Sequence, residues 1–150
     1  MSEMSQSQVT WTLTIDELSG VPGELKRAVL NEVGEYLVTS VLDYVAESRS
    51  PVSGGKFKAK LSDDYAKREG KDTANLDLTG SMLDSLTYRI RGNSVEIGVF
   101  DSDEAPKAYN HNVGDTLPQR QFIPMEDQKF KSEIMAGIDE VIEEILSGGV

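Results

Sequence analysis

The sequence predicts an α+β fold: a small antiparallel sheet, built from an N-terminal strand and a hairpin in the C-terminal half, packed by two long helices and carrying a long extended arm. Three observations predict it. Apolar residues alternate strictly over 9–15, 86–90 and 95–99, the period of half-buried strands. They recur every three or four residues over 24–47 and 125–147, the period of amphipathic helices. Between these segments lie aperiodic stretches rich in Ser, Gly, Pro and Lys.

The elements follow in order. Residues 1–8 are polar and read as a short frayed tail, with neither the basic start nor the apolar stretch of a secretory signal. Val9 to Ile15 is a strand whose threonines face outward, and Gly20, Pro22 and Gly23 close it with a turn. The helix over 24–47 carries Leu25, Val29, Val33, Tyr36, Leu37, Val41, Tyr44 and Val45 on one stripe. Leu30, Val38 and Leu42 widen that stripe beyond the needs of one neighbour, so a second partner is expected, in the same chain or in another subunit. Gly34 costs this helix about 1 kcal/mol relative to Ala and either admits a close neighbour or is neutral.

Ser48 to Lys60 has no apolar period and reads as an extended arm. Ser62 then offers an N-cap for a short helix ending near Gly70, and Thr79 to Asp84 reads as one capped turn. Gly92-Asn93 is a two-residue hairpin turn, which fixes the register by arithmetic. Ile90 pairs with Val95, Tyr88 with Ile97 and Leu86 with Val99, so every apolar residue falls on one face. Arg89 falls opposite Glu96, a candidate ion pair. Asp101 to Met125 holds three prolines and reads as irregular. Pro124 starts the last helix, 125–147, with Glu126 and Asp127 in its first turn. There is no internal repeat, and residues 1–150 are expected to form one domain.

Composition narrows the function classes. At 38% hydrophobic and 27% charged, the chain reads as globular, and no apolar run approaches the roughly 18 residues of a membrane span. Without cysteine it has no disulfides and no thiolate metal sites. With 26 acidic against 15 basic residues the formal net charge is −11, which repels nucleic acid at long range.

Residues with possible chemistry are few. His111 is the single histidine, and no Ser or Cys sits in a nucleophile elbow. Asp101-Ser102-Asp103-Glu104 begins like a calcium loop but reaches Pro106 where Gly is required and Asn112 where Glu is required. Gly54-Gly55-Lys56 lacks the spacing of a phosphate loop. Lys56, Lys58 and Lys60 alternate and would share one side of an extended chain, facing solvent, an acidic partner or passing DNA. No catalytic residue, metal ligand or cofactor site is expected.

From Leu61 onward the sequence resembles the virion-morphogenesis proteins of tailed bacteriophages, the neck or tail-completion proteins. Leu78-Thr79-Gly80-Ser81-Met82-Leu83-Asp84-Ser85-Leu86 is similar to their turn before a hairpin, and Val95-Glu96-Ile97-Gly98-Val99 to the strand that follows. Lys107-Ala108-Tyr109-Asn110-His111-Asn112-Val113-Gly114 and Leu117-Pro118-Gln119-Arg120-Gln121-Phe122-Ile123-Pro124 resemble the two segments before their last helix. Met82 stands where the family has Leu, and Tyr109 follows Ala108 where the family more often has Tyr then Ala. The likeness covers about half of the chain.

The resemblance implies a structural virion protein, not an enzyme: a homo-oligomeric ring at the head–tail junction, made in the bacterial host cytoplasm. Its partners would be portal-side connector or stopper proteins and tail terminator or tail tube proteins. DNA would pass through without specific binding, and no membrane is involved. A ring of identical subunits needs head-to-tail contacts. The wide stripe of the first helix, the sheet edge and the 48–60 arm with Lys56, Lys58 and Lys60 are candidate surfaces. Gly80 would allow the tight turn into the hairpin, Phe122 would plug the core, and Arg120 would make a bidentate contact within or between subunits. The negative charge is expected to line a channel and keep DNA from sticking. A tail terminator, a non-viral adaptor and a hydrolase using His111 or paired acids remain the alternatives.

Overall fold

The structure, a computed structural model, describes residues 9–56, 83–113, 121–125 and 127–148. Within them lie β1 (Val9–Thr14), a 3-10 turn (Asp16–Leu18), α1 (Gly23–Ala46), β2 (Leu86–Arg91), β3 (Ser94–Val99), α2 (Ala105–Val113) and α3 (Ser132–Gly148). The three strands form one antiparallel sheet in the order β1-β3-β2.

The period-two pattern sets this sheet. Pairing aligns Val9, Val99 and Leu86 in one row, Trp11, Ile97 and Tyr88 in the next, and Leu13, Val95 and Ile90 in the third. All nine apolar side chains therefore share one face, and the hairpin register is the one its two-residue turn dictates. Positive φ at Gly92 and not at Asn93 is the pattern of a II′ turn, whose twist suits a hairpin. The other face carries Thr12, Thr14, Thr87, Arg89 and Arg91, all exposed. There Arg89 does pair in register with Glu96, but its guanidinium lies 3.8 Å from the Phe100 ring centroid and forms no ion pair among the described residues. The cation rests on the face of the half-buried Phe100 ring, which attracts it through the ring's quadrupole.

The wide stripe of α1 finds both of its neighbours inside the chain. α1 packs on β2 and β3, and α3 packs on α1. Val29, Leu30, Val33, Leu37, Val41 and Val45 are buried, each stabilising the fold by about 1.5–3 kcal/mol. Of the stripe, Leu42 alone remains exposed, so it does not form the apolar inter-subunit surface expected above.

Two mid-helix glycines let these layers close. A Cβ on Gly34 would overlap the Tyr88 ring, and a Cβ on Gly137 would overlap the Tyr36 hydroxyl. Each tyrosine then bonds the helix that seats it. Tyr88 donates to Asn31 Oδ1 at 2.9 Å, and Tyr36 donates to the Ile134 carbonyl at 3.2 Å.

Three boundaries differ from the sequence expectation. The stretch 101–125 is not irregular throughout, because α2 occupies Ala105–Val113. Asp101 starts it: its Oδ1 accepts from the amides of Asp103 and Glu104 at 2.8 and 3.1 Å. Pro106 then sits in the first turn, where its missing N–H costs nothing. α3 starts at Ser132, not Met125, so neither Pro124 nor Asp127 belongs to it. Phe130 continues the apolar period backward while lying outside the helix; it is buried and meets Trp11 edge to face at 4.9 Å.

The third difference concerns the arm. Its first nine residues, 48–56, are a packed turn. α1 ends in a Schellman motif, with the Ser48 amide on the Val45 carbonyl at 2.8 Å and the Arg49 amide on the Tyr44 carbonyl at 2.9 Å. Ser48 takes the left-handed position, φ 58°, that glycine usually fills. Ser50 is buried, and its Oγ accepts from the amides of Val52 and Ser53. The expected helix after Ser62 and the turn at Thr79–Met82 lie outside the described residues.

Candidate functional site

Besides the Tyr88–Asn31 bond, three local constructions of polar groups stand out among the described residues. The first joins α2 to the segment at 121–123, which is in neither helix nor strand. Asn112, on the buried side of α2, is 1% exposed. Its Oδ1 accepts from the amides of Phe122 and Ile123 at 2.8 and 2.9 Å, and its Nδ2 donates to the Ile123 carbonyl at 2.9 Å. One side-chain amide thus replaces a strand partner for two residues of backbone. Buried backbone groups need such partners, and this clasp holds Phe122 and Ile123 fully inside the core.

The second is the turn at 49–56, docked on the start of α3. The Pro51 carbonyl accepts from the Lys131 amide at 2.8 Å, and the Lys131 side chain lies over Gly54. Arg49 bridges to Lys56, and its Nε donates to the Gly54 carbonyl at 3.0 Å. Arg49 also covers the Tyr44 ring at 4.9 Å. Tyr44 donates to Glu133 Oε1 at 3.3 Å. Burial, and then the charge of Glu133, push the Tyr44 pKa above its ordinary 10.0. The Gly54 amide is used on the Ser50 carbonyl and the Gly55 amide on Ser53 Oγ, so neither is free to cradle a phosphate.

The third lies at the other end of α3. A groove of about 460 Å³ is lined by Glu17, Asp139, Glu143, Ser147, Ile142 and Leu146. Its floor is apolar, from the buried Ile142 and the half-buried Leu146, and its three carboxylates stand exposed on the rim.

The residues singled out from sequence fare differently. Lys56 is exposed at the end of the packed turn, not on a free arm. Phe122 plugs the core, as its setting between prolines suggests. Lys58, Lys60, Gly80 and Arg120 lie outside the described residues. His111 falls within α2. Among the described residues no group of three or more His, Asp or Glu is placed to hold a metal ion, and no helix is long and apolar enough to cross a membrane. Sequence reasoning missed Asn112, since nothing in a sequence marks an asparagine for burial. It also missed Ser50, although Ser50-Pro51 is a turn-initiating pair.

The described residues define a three-stranded antiparallel α+β fold, with the 49–56 turn docked at the start of α3 and an acidic groove along its C-terminal half. Comparison with known protein families, curated proteins and solved structures finds no match.

Proposed function

We propose that this chain is a non-enzymatic structural protein of a tailed-phage virion, one subunit of a ring that joins the capsid to the tail. The reading rests on the ordered resemblance from Leu61 to the last helix. One structural observation supports it above others. The described parts of two of the segments that carry the resemblance, around Asn112 and around Phe122, are joined by three buried hydrogen bonds. Segments that meet as one unit are expected to be kept together in order and spacing. The ring would contact portal-side proteins on one face and tail terminator or tail tube proteins on the other. Its acidic surface would let DNA pass without adhering.

Imaging of particles assembled without this protein tests the proposal. Full heads and finished tails that accumulate separately are the expected result. Joined, infectious particles formed in its absence would remove it.

A further inference from the structure

The C-terminal half of α3 is built against its own stability. Asp139, Glu140, Glu143 and Glu144 are all exposed, and the last turn holds no basic residue. Of these, Glu144, just before the last turn, lies closest to the negative pole of the helix dipole. Asp139 with Glu143, and Glu140 with Glu144, are also like-charge pairs four residues apart, which repel. Local rules broken this way in a folded protein mark surfaces kept for binding. Two of these acids, with Glu17, ring the groove over Ile142 and Leu146. Such a site suits a cationic element with some apolar surface.

The same chain carries one. The packed turn at 49–56 presents Lys56 to solvent beside Arg49 and the half-exposed Val52. Lys131 lies against its Gly54 but pairs with Glu133 at 3.5 Å, and Arg49 pairs with Glu47 at 3.7 Å, so the cations here left without a carboxylate partner among the described residues are Lys56 and the exposed Lys129. The turn is pinned to the start of α3 by the bond from Pro51 to Lys131. Glu143 lies twelve residues further along, about 18 Å at the helical rise. A pinned turn cannot fold back over that distance, so its own groove is closed to it. A second copy faces no such limit. Donor and acceptor are different surfaces at opposite ends of one helix, which is the arrangement of a head-to-tail contact.

We infer that the acidic groove formed by Glu17, Asp139, Ile142, Glu143 and Leu146 receives the basic 49–56 turn of a second copy of this chain. The contact rests on the ring reading for its biological role, but it has its own test. The chain has no cysteine, so single thiols can be introduced cleanly. Gly55→Cys puts one on the turn, where a Cβ meets nothing closer than Ser53 Oγ at 3.7 Å. Ser147→Cys puts one at the groove, and Thr12→Cys on the outer sheet face serves as control. All other side chains of both surfaces stay in place.

Gly55→Cys mixed with Ser147→Cys and oxidised should give a disulfide-linked pair, at least tenfold above Gly55→Cys with Thr12→Cys. Adding Asp139→Lys and Glu143→Lys to the groove partner should bring the yield down to the control. A chain carrying both thiols should link into dimers and longer ladders. An internally closed monomer, or control-level linking throughout, overturns the contact. Mass measurement of the unlinked chain separates the two claims. Rings with control-level linking leave the ring standing and discard this contact, whereas specific linking in a chain that does not join heads to tails keeps the contact and sinks the ring.

Discussion

The chain running into α3 and the chain leaving it are made on opposite plans. On the way in, Phe122 and Ile123 hang from Asn112, Phe130 stacks on Trp11, Lys131 is tied to Pro51, and Glu133 takes a hydrogen bond from Tyr44. The last three of these contacts come from distant parts of the chain, so this end is over-determined. On the way out, four exposed acids crowd the last turns with no base among them. Stability is concentrated at the first end and unspent charge at the second. A helix held firmly at one end can carry an electrostatically costly face at the other.

The largest effect should come from breaking the anchored end. Asn112→Ala leaves two buried amides and weakens the satisfaction of a carbonyl, at about 1–3 kcal/mol for each lost group. Denaturant unfolding should show a loss on the order of 3–5 kcal/mol. A loss under about 1 kcal/mol would mean that water replaces the amide and that the clasp anchors nothing.

Midway along α3 the expected effect is smaller. Gly137→Ala gains helix propensity of about 1 kcal/mol but drives a methyl into the Tyr36 hydroxyl. Overpacking should win, with a net loss of about 1–3 kcal/mol. Combined with Tyr36→Leu, which empties the space, the glycine substitution should cost much less than it does alone. Strict additivity in thermal unfolding would show that the two residues do not meet.

Tyr44 gives the anchored end a pH signature. Burial and Glu133 raise its folded-state pKa above 10.0, while in the unfolded chain it titrates near that value. The folded state therefore holds the proton longer. The contribution is fully present below pH 10 and is lost as pH rises through the folded-state value. Tyr44→Phe should flatten this alkaline decline in stability, measured by denaturation across pH 9 to about 11.5. An unchanged decline would assign it to other groups, Tyr88 first, whose pKa is raised by burial and Glu35.

What could be read from the sequence divides along similar lines. The hairpin register follows from residues within a few positions of Gly92, where period and turn agree. The segment leading into α3 could not be read that way. The buried face of α2 is made of Ala105, Ala108 and Asn112, too small and polar to register as a stripe. Phe130 keeps the period of Ile134 and Ile138 while standing outside the helix, so the pattern overruns the true start. The 48–56 turn is held by hydroxyl and backbone hydrogen bonds, which hydropathy does not see. The acids of α3 were plain in the sequence, but the groove beside Glu17 needs the fold to bring 17 and 143 together.

The smallest effect carries the sharpest distinction between the two ends. Glu144 lies outside the groove, while Glu143 lines it. Glu144→Lys turns the repulsion with Glu140 into an attraction in the favoured order, acid before base, and places a cation at the negative helix pole. Both sites are exposed, so the gain is limited to a few tenths of a kcal/mol. Glu143→Lys should bring a similar gain through Asp139. If the end is kept acidic for binding, the two variants must part in association: Glu144→Lys leaves cross-linking to a second copy largely intact, and Glu143→Lys removes it while the melting temperature stays level or rises. Equal loss in both would spread the requirement over the whole helix face, and a drop in melting temperature for either would show that the acids stabilise α3 where they stand.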